Sequence, residues 1–501
     1  MLKIKELKNE SIILGILVVI FLASRILFLD SDIPSWKQTN YSPIDEFYYT
    51  AQAFDIVEGI HSPDGKLLSS QYSAYNIIEQ LTTAGTLHLL GDNYYGLRIP
   101  SVIAGLIVLV CFYLMVLERF GLTYAVVFSL FIAAEQSFTL ATRIAEPTIF
   151  RMAAAAILLL ILTKQDCTQK NHIRAIGFAT CFAWLFIYPT NAFLGLFGLA
   201  VIAYCNPKKI LTSASHYITG FIFCAIIYLI SYYSLGNTLS DLTTTKTIFS
   251  ERVISEESNS LISFIFQAYT KLKDIRQANF FRQHPIFLIA TALSLAFVTH
   301  LLIKQSKLLT RSDKIIFIFS ICFLLQCAFI NDYPRRKLIF ILPICAYLVM
   351  LAVNILLKKA PEKRSKFLSI AIVTISTPFL LVPTYNNIYK DPQYSYKNSM
   401  KELSSLNNER VIGGWGYGFR LYNDYKPYLN QYTIIYTNPE GYYQMLNEAG
   451  KQGNAKFTLE YGDDKTESIL KSIGFHKERL AYKSNDKSYP DVYIYKYSNE
   501  K

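Results

Sequence analysis

Long apolar runs alternate with short charged connections along most of the chain. Each run is about as long as the ~17–25 residues that a helix needs to cross the hydrocarbon of a bilayer. A helix in a soluble core is rarely apolar on all sides over such a length. The pattern therefore predicts a polytopic α-helical membrane protein. The clearest runs cover residues 11–29, 99–117, 148–163, 218–235, 285–303, 315–330, 338–357 and 367–382.

The lysines and arginines of the connections predict the orientation of the chain. Lys3, Lys5 and Lys8 precede the first apolar run, which indicates a cytoplasmic N-terminus. No small-residue cleavage site follows that run, whereas Asp30 and Asp32 do, so we expect a retained span and not a signal peptide. With about eleven spans, the connections richest in Lys and Arg all fall on the cytoplasmic side. The odd number predicts an extracytoplasmic C-terminus.

We expect residues 1–385 to form a transmembrane domain with two long outer loops, 30–97 and 237–284. The third span is expected to end near Ala141, and the fourth to begin near Pro147. The retained spans and the charge asymmetry predict an integral membrane protein, which we assign to the bacterial inner (plasma) membrane.

Residues 386–501 have a different character, because they are polar, rich in Tyr and punctuated by Gly, Asn and Asp. Strands alternating with short helices indicate a small extracytoplasmic α/β domain. The predicted strands cover residues 410–415, 432–437, 456–461 and 492–497, and the predicted helices cover 440–450 and 465–473.

The net charge of +12 in 501 residues raises the question of a nucleic-acid partner. The positive charges are explained by membrane orientation, and no soluble basic helix interleaved with aromatic residues occurs. We therefore expect no nucleic-acid binding. The eight cysteines lie in predicted spans or cytoplasmic connections without a CxxC pattern, so they predict neither disulfides nor a metal site.

The first candidate for chemistry is the acidic pair Asp45–Glu46 in the first outer loop. Acids favour the start of a helix, and helical patches are predicted at 46–58 and 75–90, so the pair is explained by helix capping alone. The alternative is a carboxylate that acts as a base or holds a cation just outside the first span.

The second candidate is the segment from Arg143 to Pro147, between the third and fourth spans. Arg143 and Glu146 are three residues apart and share a helix face, which suits an interfacial ion pair. The functional alternative is a second acid brought near the first. Glu135 lies within the predicted third span, where an acid is costly unless it is paired or faces a polar cavity, so we expect it to support the site from below.

The third candidate is Arg335–Arg336, at the outer ends of the ninth and tenth spans. Cations on the outer side run against the positive-inside trend. Headgroup contact explains them, but Arg also binds phosphate through paired hydrogen bonds. Arg98, at the outer mouth of the second span, is a further cationic candidate.

The order of these segments resembles a known family. An outer loop opens with Asp45–Glu46, residues 97–101 (Leu-Arg-Ile-Pro-Ser) enter the second span, Arg-x-x-acid-Pro follows at 143–147, and Tyr-Pro-Arg-Arg at 333–336 leads into a span that contains Pro343. The ordered set is similar to the GT-C glycosyltransferases of the protein O-mannosyltransferase and lipid A aminoarabinose transferase superfamily. The resemblance covers about the first 390 residues, with Glu146 where many relatives carry Asp.

The resemblance implies a polyprenyl-phosphate sugar donor and an acceptor hydroxyl on the outer face, carried by an envelope glycan, a lipid or a protein. By carry-over, Asp45 is the acid-base residue with Glu46 beside it, and Arg143 and Glu146 complete the acidic site. The resemblance also implies that Arg335, Arg336 and Arg98 bind the donor phosphate. A divalent cation, Mg or Mn, is left open, with Asp45 and Glu146 as its ligands.

The chemistry of these residue types suits a transferase. A carboxylate takes the proton of an attacking hydroxyl, and fixed guanidinium groups stabilise the departing phosphate. We therefore predict an inverting hexosyl- or pentosyltransferase. A transporter or flippase of lipid-linked saccharides would share the spans, but it often has repeated halves, which the sequence lacks. A structural subunit of an envelope complex is the third possibility.

Overall fold

The computed structural model describes residues 2–31, 46, 49–50, 53–54, 56–57, 59, 76–234, 281, 284–329, 339–357, 382, 384–390, 398, 411–412, 439–452, 456–482 and 491–498. Most of them are helical. In chain order the helices of the apolar part are α1 (Leu2–Ile26), α2 (Ile77–Leu90), α3 (Tyr94–Phe120), α4 (Leu122–Ala134), α5 (Gln136–Ala141), α6 (Pro147–Lys164), α7 (Lys170–Phe182), α8 (Phe193–Cys205), α9 (Ile210–Ser234), α10 (Pro285–Lys304), α11 (Arg311–Phe329) and α12 (Leu342–Leu357).

Five helical segments in the described part of the chain are long and apolar enough to cross a membrane. They are Tyr94–Phe120, Pro147–Lys164, Ile210–Ser234, Pro285–Lys304 and Ile339–Leu356. Two shorter apolar helices, α4 and α8, accompany them. The chain is thus a helical integral membrane protein, as the alternation of apolar runs predicts.

Helix α3 is the central element around which the candidate site is arranged. Asn93 caps its N-terminus by accepting hydrogen bonds from the backbone N–H groups of Tyr95 and Gly96. Its C-terminus is closed at Gly121, whose φ of 89° is favourable only for glycine. The helix packs against α2, α4 and α6, so it connects α2 with the long apolar helices.

Helices α7 and α9 pack closely because each helix places a glycine against the backbone of the other. A Cβ atom on Gly177 would lie 2.1 Å from the carbonyl oxygen of Tyr217, and one on Gly220 would lie 2.0 Å from that of Arg174. Small residues at helix contacts permit this approach in membranes, where burial from water does not drive association.

The predicted third span is wrong in one respect, because the helix is interrupted at Glu135. Helix α4 ends at Ala134, and Glu135 is extended with φ −69° and ψ 130°. Its Oε2 atom accepts a hydrogen bond of 2.7 Å from the backbone N–H of Phe138 and so caps α5. The sequence marks Glu135 as an unusual acid, but hydropathy does not distinguish an acid that caps a new helix from one inside a continuous span. The predicted start of the fourth span at Pro147 is confirmed.

The described residues of the C-terminal region form a sheet of four strands in the order β1-β2-β4-β3. The strands are β1 (Val411–Ile412), β2 (Phe457–Tyr461), β3 (Phe475–Tyr482) and β4 (Val492–Tyr497), with helices α13 (Pro439–Lys451) and α14 (Asp464–Ser472) between them. β1 is parallel to β2, and the other pairs are antiparallel.

The strands predicted at 456–461 and 492–497 and both predicted helices of this region are confirmed, whereas 432–437 lies outside the described residues. Strand β3 was not predicted. Its sequence contains the charged run 476–479 (His-Lys-Glu-Arg), which hides the alternation of a strand.

Candidate active site

The carboxylate of Glu46 accepts three hydrogen bonds. Arg98 donates to it at two points, from Nε to Oε1 at 2.6 Å and from Nη2 to Oε2 at 2.7 Å. The backbone N–H of Ala145 also donates to Oε1, at 2.9 Å. Glu46 and Arg98 are 1% and 3% exposed. This is a buried, two-point ion pair with a third hydrogen bond, a geometry that offsets the cost of burying the charges.

The guanidinium of Arg98 has further partners in the chain that follows the first helix. Its Nη1 atom donates to the carbonyl oxygens of Leu29 at 2.5 Å and Ser31 at 2.6 Å, and the group stacks 4.3 Å from the centre of the Tyr94 ring. Arg98 therefore joins α3 to residues 29–31 and to Glu46.

A second clamp holds the helical stretch that contains Glu46 against α2. The side chain of Gln80 accepts a hydrogen bond of 2.8 Å from the backbone N–H of Ala53 and donates one to the carbonyl of Tyr49. Residues 46, 49, 50, 53 and 54 are buried. Glu46, Tyr49 and Ala53 are therefore held against α2 and α3.

Arg143 binds the end of the first helix. Its Nη1 atom donates to the carbonyl oxygens of Arg25 at 3.1 Å and Leu27 at 2.5 Å, its Nη2 atom donates to that of Phe28, and its guanidinium lies 5.6 Å from the centre of the Tyr389 ring. A cation at the C-terminal end of a helix is stabilised by the carbonyls and the helix dipole. Arg143 lies in a turn after α5, and Glu146 is extended. The prediction that the two residues share a helix face is therefore wrong.

Glu146 precedes the first residue of α6, and its side chain is 1% exposed. The N-terminal end of a helix favours a carboxylate. Because Ala145 donates to Glu46, the segment that contains Glu146 lies against the segment that contains Glu46. Glu46 and the segment that contains Glu146, which are far apart in the sequence, therefore meet near the N-terminal ends of α3 and α6.

Glu79, in the first turn of α2, is a further acid beside Glu146, and sequence reasoning missed it. It is 1% exposed. Burial raises the pKa of Glu79 well above its usual range, and the nearby carboxylate of Glu146 raises it further. A signal did exist: Asn76, Glu79 and Thr83 lie three and four residues apart, so they share one face of the predicted helical patch at 75–90.

Arg151 is a second functional candidate that sequence reasoning missed. It is the fifth residue of α6 and is fully buried, with Nε 3.4 Å from Oδ1 of Asn191. Its guanidinium stacks 5.3 Å from the Tyr188 ring and 5.6 Å from the Phe340 ring. The sequence did contain a signal for it, because Arg151 is a charged residue inside the apolar run 148–163. A charged residue within a membrane span usually indicates a functional site.

Three of the predicted site residues, Asp45, Arg335 and Arg336, lie outside the described residues. Asp45 directly precedes Glu46 in the chain. Among the residues whose positions the structure gives, no group of three or more His, Cys, Asp or Glu side chains is placed to hold a metal ion.

Comparison with known proteins gives matches at the level of structure alone. No protein-family model and no curated protein matches the sequence. ArnT from Cupriavidus metallidurans bound to undecaprenyl phosphate superposes with a TM-score of 0.60 and 11% identity over 97% of both chains. Its apo state gives the same values.

An oligosaccharyltransferase from Archaeoglobus fulgidus, in a complex with Zn and sulfate, also superposes. The TM-score is 0.51 and the identity 13%, over 96% of this chain and 72% of that one. These structures are GT-C glycosyltransferases. The chain therefore has the GT-C fold, as the order of its motifs predicts.

Proposed function

We propose that this chain, which has the GT-C fold, is a glycosyltransferase that moves a sugar from a polyprenyl phosphate to an acceptor hydroxyl on the outer face of the membrane. The observation that carries the proposal is the hydrogen bond from the N–H of Ala145 to Oε1 of Glu46. It joins segments 99 residues apart, each containing a candidate acid. Support also comes from the structural relative that binds undecaprenyl phosphate.

In the proposed reaction the acceptor oxygen attacks the anomeric carbon as the bond between that carbon and the phosphate oxygen breaks. The electron pair of that bond leaves with the polyprenyl phosphate, and Asp45 takes the proton of the hydroxyl. A single displacement of this kind inverts the anomeric configuration. The acceptor is a hydroxyl of an envelope glycan, a lipid or a protein.

The contacts of Arg98 indicate its role. Arg98 is bound to Glu46 and two carbonyls, so we assign it to positioning the acidic segment. Arg335 and Arg336 are then our candidates for the charge that develops on the departing phosphate. Asp45 and Glu146 are the carboxylates that we propose as ligands if the reaction uses Mg or Mn.

The test is a transfer assay with the purified chain, polyprenyl-phosphate hexoses and pentoses, and candidate acceptors. Asp45→Asn should lower the transfer rate by about 10²–10⁴-fold, the range that a general base contributes. Asp464→Asn, at an exposed acid in α14, is the matched control and should keep the rate. Full-rate transfer by Asp45→Asn would remove the proposed base.

Two further outcomes separate the proposal from its alternatives. Translocation of the lipid-linked sugar without any transfer would support a flippase. Arg335→Ala should raise the KM for the donor, and an unchanged KM would remove the phosphate assignment. For the outer-face location, a periplasmic phosphatase fused to the C-terminus should be active, whereas activity of a cytoplasm-only reporter there would contradict it.

A further inference from the structure

One buried face of α2 contains polar side chains that lack partners. Asn76, Glu79 and Thr83 are 0%, 1% and 1% exposed. Within the described part of the chain, no hydrogen-bond partner is found for five polar side-chain atoms on this face. They are the amide nitrogen and oxygen of Asn76, both carboxyl oxygens of Glu79 and the hydroxyl of Thr83. The spacing of three and four residues puts all three side chains on one face.

Gln80 shows that burial on this helix does not by itself prevent hydrogen bonding. It is equally buried, yet its amide is bonded to the backbone at Tyr49 and Ala53. Native proteins satisfy the large majority of buried polar groups, so several unsatisfied ones on one face call for an explanation. The explanation that fits is a polar ligand which supplies the partners.

The position of this face connects it to the candidate active site. Glu146, before α6, acts electrostatically on Glu79. Helix α3, against which both α2 and α6 pack, contributes Arg98 to the pair with Glu46. The face of α2 therefore borders the segment where the two acidic motifs meet.

The chemistry of the face favours one ligand class. A protonated carboxyl group, the form that burial favours, both donates and accepts hydrogen bonds, and an amide and a hydroxyl do the same. An anionic phosphate would be repelled by Glu146, and a cation would need an ionised Glu79. The hydroxyl groups of a sugar ring, which also donate and accept, match the face at every position.

We propose that Asn76, Glu79 and Thr83 form a subsite that binds the hydroxyl groups of the transferred sugar. The inference rests on the proposed function, since it takes the ligand to be the sugar of a lipid-phosphate donor. It assigns these residues to holding the sugar, while the acid-base and phosphate roles lie elsewhere.

The test compares the affinity of the full-length chain in lipid nanodiscs for two kinds of probe. One is undecaprenyl phosphate, and the other is the same lipid carrying glucose, mannose or arabinose. Glu79→Leu, Asn76→Leu and Thr83→Val should each weaken binding of the preferred glycosylated lipid by about tenfold, the effect of one lost hydrogen bond. Binding of the sugar-free lipid should stay unchanged, which also shows that the variants are folded.

Two controls sharpen the comparison. Glu79→Gln keeps the shape and the hydrogen-bonding capacity of a neutral carboxyl, so it should retain most of the affinity. Thr82→Val changes the neighbouring, exposed threonine, whose hydroxyl donates within its own helix, and it should leave both affinities unchanged.

The inference is overturned if the α2 variants weaken both lipids equally or weaken neither. It is also overturned if titration with Mn²⁺ shows an ion that wild type binds and Glu79→Gln loses, since the face would then be a cation site. Wild type that binds neither lipid would contradict the proposed function itself, and the inference with it.

Discussion

Glu46 and Arg98 form a two-point ion pair across 52 residues of sequence, with Nε 2.6 Å from Oε1 and Nη2 2.7 Å from Oε2. Both side chains are buried, and the N–H of Ala145 supplies a third hydrogen bond to the carboxylate. Removal of one partner from such a pair leaves an uncompensated buried charge. The pair therefore fixes where Glu46 lies against α3.

Arg98→Met should destabilise the protein by about 3–5 kcal/mol, the cost of breaking a buried ion pair. The double variant Glu46→Gln/Arg98→Met should recover part of that loss, because no unpaired charge is left. The free energy of unfolding in mixed micelles, titrated with a denaturing detergent, measures both effects.

The pair of Lys164 with Glu118 provides the matched control for this measurement. It is an ion pair at the surface, with side chains 44% and 56% exposed. Glu118→Gln should change the stability by about 0–1 kcal/mol, as is usual for exposed pairs. If Arg98→Met were as mild as Glu118→Gln, Arg98 would not hold Glu46 in place.

Arg143→Met should loosen the end of the first helix. The side chain donates to the carbonyls of Arg25, Leu27 and Phe28, and hydrogen bonds from a charged group contribute about 1.5–3 kcal/mol. We expect a loss of that size in the free energy of unfolding, with Arg143→Lys losing less because its charge still faces the helix end. Lys208→Met, at an exposed turn, is the control. Equal stability of Arg143→Met and the control would contradict the capping role.

The apolar helices and the helix start at Pro147 were predictable from the sequence, because each depends on a local pattern of residues. A run such as 148–163 is apolar on every side, and a helix beginning at Pro147 follows from the proline itself. The break at Glu135 was not predictable, since it depends on one side chain capping α5 within an apolar stretch.

The sequence also could not predict which residues pair with each other in the candidate site. Arg98 was expected to bind a phosphate, but its contacts with Glu46 and with the carbonyls of residues 29 and 31 come from segments far away in the chain. Glu79 lies in the helical patch predicted at 75–90, and the packing of α2 in the folded protein buries it. Long-range pairing, unlike hydropathy, leaves no local signature.

Gly220→Val should separate α7 from α9. A Cβ on Gly220 would lie 2.0 Å from the carbonyl oxygen of Arg174, and a backbone atom cannot move aside without shifting a helix. Forced overpacking costs about 1–3 kcal/mol or more. Gly85→Ala is the matched control, because nothing lies within 4 Å of its added Cβ, and alanine is the better helix former by about 1 kcal/mol. Thermal unfolding in detergent should show a lower Tm for Gly220→Val and an unchanged or higher one for Gly85→Ala. The opposite order would show that α7 and α9 do not depend on this contact.

Glu79 should make the stability of the protein fall as pH rises. Burial and the charge of Glu146 raise its pKa in the folded state, so above the ordinary glutamate pKa of about 4.3 the folded protein keeps a proton that the unfolded chain releases. The free energy of unfolding then decreases with pH, by at most about 1.4 kcal/mol per pH unit for one proton, until the raised pKa is passed. Glu79→Gln cannot titrate, so its stability minus that of wild type should grow as the pH rises above about 5. Parallel pH profiles for wild type and Glu79→Gln would mean that Glu79 is ionised in the folded protein, and the neutral carboxyl that the sugar subsite requires would be lost with it.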